Sequence, residues 1–221
     1  MGLYIILMGV QGAGKGVQAA YISESYGIPH VSTGDMFRAM KNRDDDLARK
    51  VQDIMSNGQL VDDDTTNEVV ADRLSQPDAA NGVILDGYPR NNVQAAFLEE
   101  HLAQRGETVT CVLQLTLDLY VAFKRAFGRM KAADGTSYNI YYKNDGLTVT
   151  KESDSDGKFP PRIIAALDAT GETLERRKDD ADADAVITRI ETYLETTQPL
   201  VERYEGKGLL YAVDADQSID A

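Results

Sequence analysis

Four stretches of the chain are apolar at nearly every position: Leu3 to Met8, Val83 to Leu85, Val109 to Leu117 and Leu209 to Val213. Runs of this length without polar alternation predict strands covered on both faces. The segments between them carry apolar residues at i, i+3 and i+4, the spacing of one buried helix face. Strands alternating with helices require crossover connections, so the pattern predicts an α/β fold with a parallel sheet and helices on both sides. Two regions break the alternation. After a short strand at Ile28 to Val31, residues 32 to 62 are polar and helical in period and read as a helical insertion. From Lys131 to Arg176 the chain is rich in Gly, Asp, Ser, Thr and Tyr, with Pro160-Pro161 at its centre, and turn chemistry dominates. Structureless loops of that length are uncommon inside a compact domain. The tyrosines at 138, 141 and 142 and the β-like Leu147-Thr148-Val149-Thr150 predict a small folded flap there.

At 221 residues the chain suits one core with insertions. Its hydrophobic share of 43% is that of a globular protein, and no apolar run approaches the roughly 20 residues that span a bilayer. The first strand begins directly after Gly2, in a segment too short for a secretory leader. Cys111 is the only cysteine, so neither an intrachain disulfide nor a cysteine zinc site is expected, and a reducing cytoplasm fits. A net charge of −13 argues against nucleic acid and anionic membrane as partners. The acidic runs Asp44 to Asp46, Asp62 to Asp64 and Asp179 to Asp184 read as solvated surface. His30 and His101 read as structural, and Cys111 as core packing.

The chemistry begins at Gly9-Val10-Gln11-Gly12-Ala13-Gly14-Lys15-Gly16, which follows an apolar strand and opens a helix. In that context the glycines let backbone N–H groups face phosphate oxygens, the helix N-terminus adds partial positive charge, and Lys15 reaches the terminal phosphates. Gly16 stands where many such loops place a Mg²⁺-binding Ser or Thr. Asp86, at the end of the second apolar strand, is therefore the metal candidate, acting through water because Mg²⁺ retains several waters. Phosphoryl transfer asks a protein mainly for alignment and charge stabilisation. In so acidic a chain, Lys15, Arg38, Arg90, Arg125, Arg129, Arg177 and Arg189 stand beside Gly-rich turns or the flap, and guanidinium forks suit phosphate.

These motifs, with Ser32-Thr33-Gly34-Asp35-Met36-Phe37-Arg38, Leu85-Asp86-Gly87-Tyr88-Pro89-Arg90, Gln94 and Arg177-Lys178-Asp179-Asp180, resemble the adenylate kinases in order and spacing. The resemblance runs from the first strand to the late helix. It implies a three-layer P-loop fold carrying a nucleoside-monophosphate-binding insertion at residues 32–62 and a mobile lid at 125–177, and reversible phosphoryl transfer between ATP and AMP with Mg²⁺. It places Thr33 and Gln94 on the adenine of AMP, Gln59, Leu60 and Val61 along its pocket, and Arg38 and Arg90 on its phosphate, with Gly87, Tyr88, Pro89 and Arg90 lining the same site. Gly12, Ala13, Gly14, Lys15, Gly16, Val17, Arg125, Arg129, Ser137, Tyr138 and Gln217 correspond to ATP contacts. Arg177 and Arg189 correspond to arginines on the reacting phosphates, and the catalytic set becomes Lys15, Arg90, Arg125, Arg129, Arg177 and Arg189. Lid closure would exclude water, and its opening is expected to limit turnover.

The chain departs from the family at Val17, usually Thr; at Asn139, often His or another stacking group; and at Ala215, usually Gly. Its lid lacks the four-cysteine zinc site of some members. Kinases for UMP and CMP usually carry Ala and Asn where Thr33 and Gln94 stand, so AMP is the expected acceptor. Two alternatives stay open: another nucleoside monophosphate kinase, and a weakened P-loop regulatory protein. A monomer is expected.

Overall fold

The computed structural model describes residues 2–56, 61–152, 162–176, 180 and 182–217. The chain forms two compact units, one of residues 1–9, 14–116 and 193–215, the other of residues 10–13, 117–192 and 216–221.

The first unit is a parallel sheet built from β1 (Leu3–Met8), β2 (His30–Ser32), β3 (Gly82–Asp86), β4 (Cys111–Thr116) and, late in the chain, β9 (Leu210–Asp214). Its strand order is β2-β3-β1-β4-β9, and every pairing is parallel. The two faces explain the apolar runs. Tyr4, Ile6 and Met8 of β1 join Val83 and Leu85 of β3 in a large core that also holds Val70, Leu74, Leu98, Leu102, Leu200 and Tyr204. Ile5 and Leu7 turn the other way, onto Ile84, Ala19 and Ile28. Because strand side chains alternate, a strand buried on both faces must be apolar throughout.

Helix α1 (Lys15–Tyr26) follows β1. The predicted helical insertion is α2 (Thr33–Met40) and α3 (Asp46–Ser56), followed by α4 (Asp63–Leu74). A short 3₁₀ turn at Pro77–Ala79 leads into β3, and α5 (Asn92–Ala103) follows it. Arg43 links these helices by donating to Asp45 at 2.8 Å and to Asp72 of α4 at 2.5 Å. A π-helical turn at Tyr193–Thr197 precedes the last helix, Leu200–Glu205, which packs in the large core.

The second unit opens with α6 (Leu119–Phe127), whose N-cap Asp118 accepts from the N–H groups of Tyr120 and Val121. The predicted flap is two antiparallel hairpins. In one, β5 (Arg129–Lys131) pairs with β6 (Ser137–Asn139); in the other, β7 (Leu147–Glu152) pairs with β8 (Arg162–Leu167). Helix α7 (Ala183–Thr192) completes the unit, and the helix Leu200–Glu205 of the first unit is α8 in chain order. Arg125 thus lies on α6, ahead of the hairpins.

β1 coincides with its apolar run and β3 extends one residue beyond its run at each end, whereas Val109 and Thr110 precede β4, and Leu209 precedes β9, which is exposed from Tyr211 to Asp214 rather than buried. Thr110 nevertheless bridges to Tyr4 through its N–H at 2.8 Å, and its hydroxyl accepts from the Tyr4 N–H at 3.0 Å.

Candidate active site

The loop between β1 and α1 takes its shape from glycine. Gly14, with φ +87°, is the N-cap of α1 and lies in the left-handed region, where a side chain would be strained. No side chain caps α1 and its first turn holds no acidic residue, whereas Asp62 and Asn91 close the first turns of α4 and α5. An uncapped helix start behind a glycine loop is the arrangement that receives phosphate. Lys15 Nζ folds back onto the Gly9 carbonyl at 2.7 Å, which holds the ammonium over the loop. The Val17 N–H, expected to be open toward a phosphate, donates to the Gly14 carbonyl at 3.0 Å.

At the end of β3 three of the expected acceptor residues meet. The Thr33 hydroxyl donates to the Gly87 carbonyl at 3.2 Å, Arg90 Nε donates to the same carbonyl at 2.8 Å, and Arg90 Nη2 donates to Thr33 Oγ1 at 3.1 Å. Gly87 is at φ +78°, and a Cβ there would lie 2.9 Å from Thr33 Oγ1, so the approach of α2 to this turn requires glycine. Tyr88 is buried, donating to Asn67 Oδ1 at 2.6 Å, and burial pushes its phenol well above the ordinary range. Arg38, one turn along α2, meets Asp35 at 2.5 Å, and that guanidinium holds the Asp35 carboxyl below the usual carboxylate range.

Gln94 is 5% exposed and already engaged. Its Oε1 accepts from the Arg90 N–H at 2.8 Å, and its Nε2 donates to Asp63 Oδ1 at 2.7 Å. In the run Asp62 to Asp64, Asp62 and Asp64 are exposed as expected, but Asp62 and Asp63 also hold structure. Asp62 caps α4 by accepting from the Thr65 N–H at 2.7 Å, and Asp63 accepts from both Gln94 and the Asn91 amide. Gln59, Leu60 and Arg177 lie outside the described residues; Val61 lies just ahead of α4.

Asp86 closes β3, with Oδ2 at 3.3 Å from His30 Nε2 of β2. Adjacent strand ends bring together residues 56 apart, a contact that spacing along the chain conceals. His30, expected to be structural, thus faces the metal candidate. Among the described residues no group of three or more His, Cys, Asp or Glu could hold a metal. A single partly buried carboxylate suits Mg²⁺ that arrives with nucleotide phosphates and keeps its waters.

In the second unit Arg125 reaches the Gln217 carbonyl at 3.5 Å and Asp216 at 3.7 Å, and lies over the Tyr142 ring at 5.8 Å. Two expected ATP residues, 92 positions apart, are thereby neighbours. Asn139 Nδ2 donates to the Arg125 carbonyl at 2.9 Å and Asn139 is the register partner of Arg129, while Ser137 and Tyr138 on β6 stand opposite Lys131 and Met130 of β5.

The largest correction is Asp180. Read as part of a solvated acidic run, it is fully buried. Arg129 donates to its Oδ2 through Nε at 2.9 Å and Nη2 at 2.6 Å, and Arg189 Nη1 donates to its Oδ1 at 2.8 Å. A buried carboxylate is tolerable only with such charged partners, and they lie 51 and 9 positions away. Arg176, which sequence reading passed over, donates to the Asp180 and Phe127 carbonyls and stacks on the Phe127 ring at 4.4 Å. Cys111 is half-buried, and burial pushes its thiol up; His101 stacks on Phe97 at 5.8 Å.

The model of the family described as adenylate kinase matches residues 7–209. A curated adenylate kinase of Listeria innocua is 37% identical over 98% of this chain and 93% of its own length. Those of Caldanaerobacter subterraneus and Thermosipho melanesiensis are 36% and 37% identical over 98% of this chain, covering 90% and 94% of their own lengths. A match of this length, over a sheet and loops of this geometry, means that the chain belongs to the adenylate kinase family.

Proposed function

We propose that the chain catalyses reversible transfer of the terminal phosphoryl group of ATP to AMP, giving two ADP. The observation that carries this reading is the cluster of Thr33, Gly87 and Arg90, with Gln94 anchored to the Arg90 backbone, at the end of the strand beside the glycine loop. A guanidinium above a polar, glycine-lined turn suits the AMP phosphate, and the Gln94 amide suits an adenine edge. Arg38 is a second phosphate ligand, with Gln59, Leu60, Val61, Tyr88 and Pro89 along the AMP pocket.

For the donor, Gly12 to Gly16 receive the ATP phosphates through backbone N–H groups and Lys15, with Val17 beside them in the first turn of α1, while Arg125, Ser137, Tyr138 and Gln217 hold the nucleoside. Lys15, Arg90, Arg125, Arg129, Arg177 and Arg189 are the cations available to the charge that spreads over the moving phosphoryl group. Asp86 would hold Mg²⁺ through water; when bound, the ion neutralises charge on the phosphate oxygens. His30 would orient the Asp86 carboxylate. No described helix is long and apolar enough to cross a membrane. The net charge of −13 speaks against nucleic-acid and anionic-membrane partners, the single cysteine fits a reducing cytoplasm, and we read the enzyme as a monomer.

A coupled assay of ADP formation with AMP, UMP, CMP and GMP tests the reading. AMP is expected to be strongly preferred, and Arg90→Ala to lower kcat/KM for AMP by roughly 10²-fold, the scale for loss of one well-placed charge-stabilising donor. Undiminished activity in Arg90→Ala, or preference for another acceptor, would overturn it.

A further inference from the structure

Asp63 is neither part of the phosphate-binding loop nor one of the arginines' partners, yet it is built into the AMP side of the molecule. It stands in the first turn of α4 and takes three short contacts from α5: Asn91 Nδ2 donates to both of its oxygens at 3.0 Å, and Gln94 Nε2 donates to Oδ1 at 2.7 Å. Asn91 spends its other end as the N-cap of α5, where its Oδ1 accepts from the Gln94 N–H at 2.9 Å. Gln94 is therefore held at backbone and side chain by one small network.

The chemistry of the partners fixes which way the Gln94 amide points. An ionised carboxylate only accepts hydrogen bonds, and a backbone N–H only donates. Asp63 must therefore face the NH₂ end of Gln94, and the Arg90 N–H, at 2.8 Å from Oε1, must face the carbonyl end. The reversed amide would set NH₂ against N–H and carbonyl against carboxylate. A primary amide offers two donor hydrogens and two acceptor lone pairs. With one of each committed to Asp63 and Arg90, one donor and one acceptor remain. Adenine presents an acceptor at N1 beside the N6 amino donor; hypoxanthine and guanine present the opposite order, an N1–H donor beside an O6 acceptor. An amide locked in one sense can match the first edge and must leave polar groups unpaired against the second, the situation that gives strong discrimination.

We infer that Asp63 is a specificity-determining positioning residue: by holding the Gln94 amide in a single orientation, it makes the acceptor pocket read adenine and refuse 6-oxopurines. This rests on the proposal that Gln94 addresses the base of AMP. Asp63 does not touch the substrate in this scheme; it acts through Gln94. Asn91 shares the work by anchoring the carboxylate.

The test compares Asp63→Asn, Asp63→Glu and Gln94→Ala with the unaltered full chain, measuring KM and kcat for AMP and for IMP at saturating MgATP, the KM for ATP, and the melting temperature. Asparagine at 63 can offer Gln94 either a donor or an acceptor, so the charged one of the two constraints is released without a change of size, leaving the Arg90 N–H as the other. Asp63→Asn is expected to raise the KM for AMP about tenfold and to narrow the AMP-over-IMP ratio of kcat/KM by a similar factor, the scale of one lost charge-assisted hydrogen bond. The KM for ATP should not move. Asp63→Glu keeps an acceptor-only group and should keep the AMP-over-IMP ratio even where AMP affinity falls. A residue that merely stapled α4 to α5 would lower the melting temperature and leave that ratio unchanged in both variants, and this outcome overturns the inference. Gln94→Ala separates the two levels. An unchanged AMP-over-IMP ratio in Gln94→Ala defeats the assignment of Gln94 to the base; a collapsed ratio there with an unchanged one in Asp63→Asn defeats the role of Asp63 alone.

Discussion

Val17 sits in the first turn of α1, 42% exposed, where relatives of this family usually have threonine. An exposed β-branched residue exchanged for its hydroxyl-bearing isostere changes little packing, so stability should hold within about 0.5 kcal/mol. What changes is chemistry. Its N–H is committed to the Gly14 carbonyl, so a hydroxyl is the one group this position can add toward a phosphate or a metal-bound water. Val17→Thr is therefore expected to lower the KM for MgATP by about tenfold, the scale of one hydrogen bond to a charged group, with kcat for AMP turnover little altered. Steady-state titration of MgATP at saturating AMP reads the change, and an unaltered KM would show that the hydroxyl is dispensable in this chain. At this scale sequence reading succeeded where partners are close along the chain, as in the loop from Gly9 to Gly16. It did not foresee Asp63, Asp180 or His30. Asp63 and His30 meet partners 28 to 56 positions away, and Arg129, which pairs with Asp180, lies 51 positions off, while an acidic run carries no mark of which member turns inward.

Elements were legible where burial dictates composition. The strands β1 and β3 and most of β4 stand out because covered strands leave little room for polar positions, whereas β9, expected to be buried, is an edge strand exposed from Tyr211 to Asp214; the ends of β4 and β9 slipped because Thr110 and Leu209 are apolar or β-branched enough to extend the pattern. The hairpins of the flap were legible only as turn chemistry, since their exposed strands carry no core-facing run of comparable strength. One joint of the second unit is electrostatic: Arg129 of β5 and Arg189 of α7 are tied through Asp180. Asp180→Asn keeps the shape but offers one acceptor oxygen and an NH₂ group to two guanidiniums. Both arginines keep 28–30% of their side-chain surface in water and can rehydrate, which limits the loss. The expected cost is about 2 kcal/mol, below the range for a wholly enclosed pair. Urea unfolding should show the shift in midpoint, and kcat should fall as well if these arginines serve the phosphates. A variant with wild-type stability would mean that the pairs contribute nothing net.

The whole molecule carries 36 acidic against 23 basic residues. Two electrostatic effects therefore oppose each other. The local pairs favour the fold: Arg38 holds Asp35, Arg73 holds Asp78 and the Thr65 N–H holds Asp62 below the usual carboxylate range. For each, the folded value lies below the unfolded one, so its stabilisation is present above about pH 4 and is lost as the pH falls through the folded value. The excess of negative charge acts the other way, since compaction brings like charges together at neutral pH. Added salt screens both. Many of the pairs are exposed, such as Arg49 with Asp44 and Asp46, and exposed pairs contribute only about 0–1 kcal/mol each. Repulsion among the surplus charges extends over many more neighbours and is screened once the Debye length drops from roughly 10 Å at 0.1 M to 3 Å at 1 M. Repulsion should dominate, so the melting temperature at pH 7 is expected to rise by several degrees between 0.05 and ~1 M NaCl, a stabilisation of about 1–2 kcal/mol for a chain of this size. NaCl is the salt to use, because sulfate also strengthens apolar burial. The same titration at pH 5, where the paired carboxylates remain ionised, should give the same sign, whereas near pH 3 the surplus is gone and the net charge has turned positive. A melting temperature that falls with NaCl at pH 7 would place the balance with the local pairs and overturn the expectation.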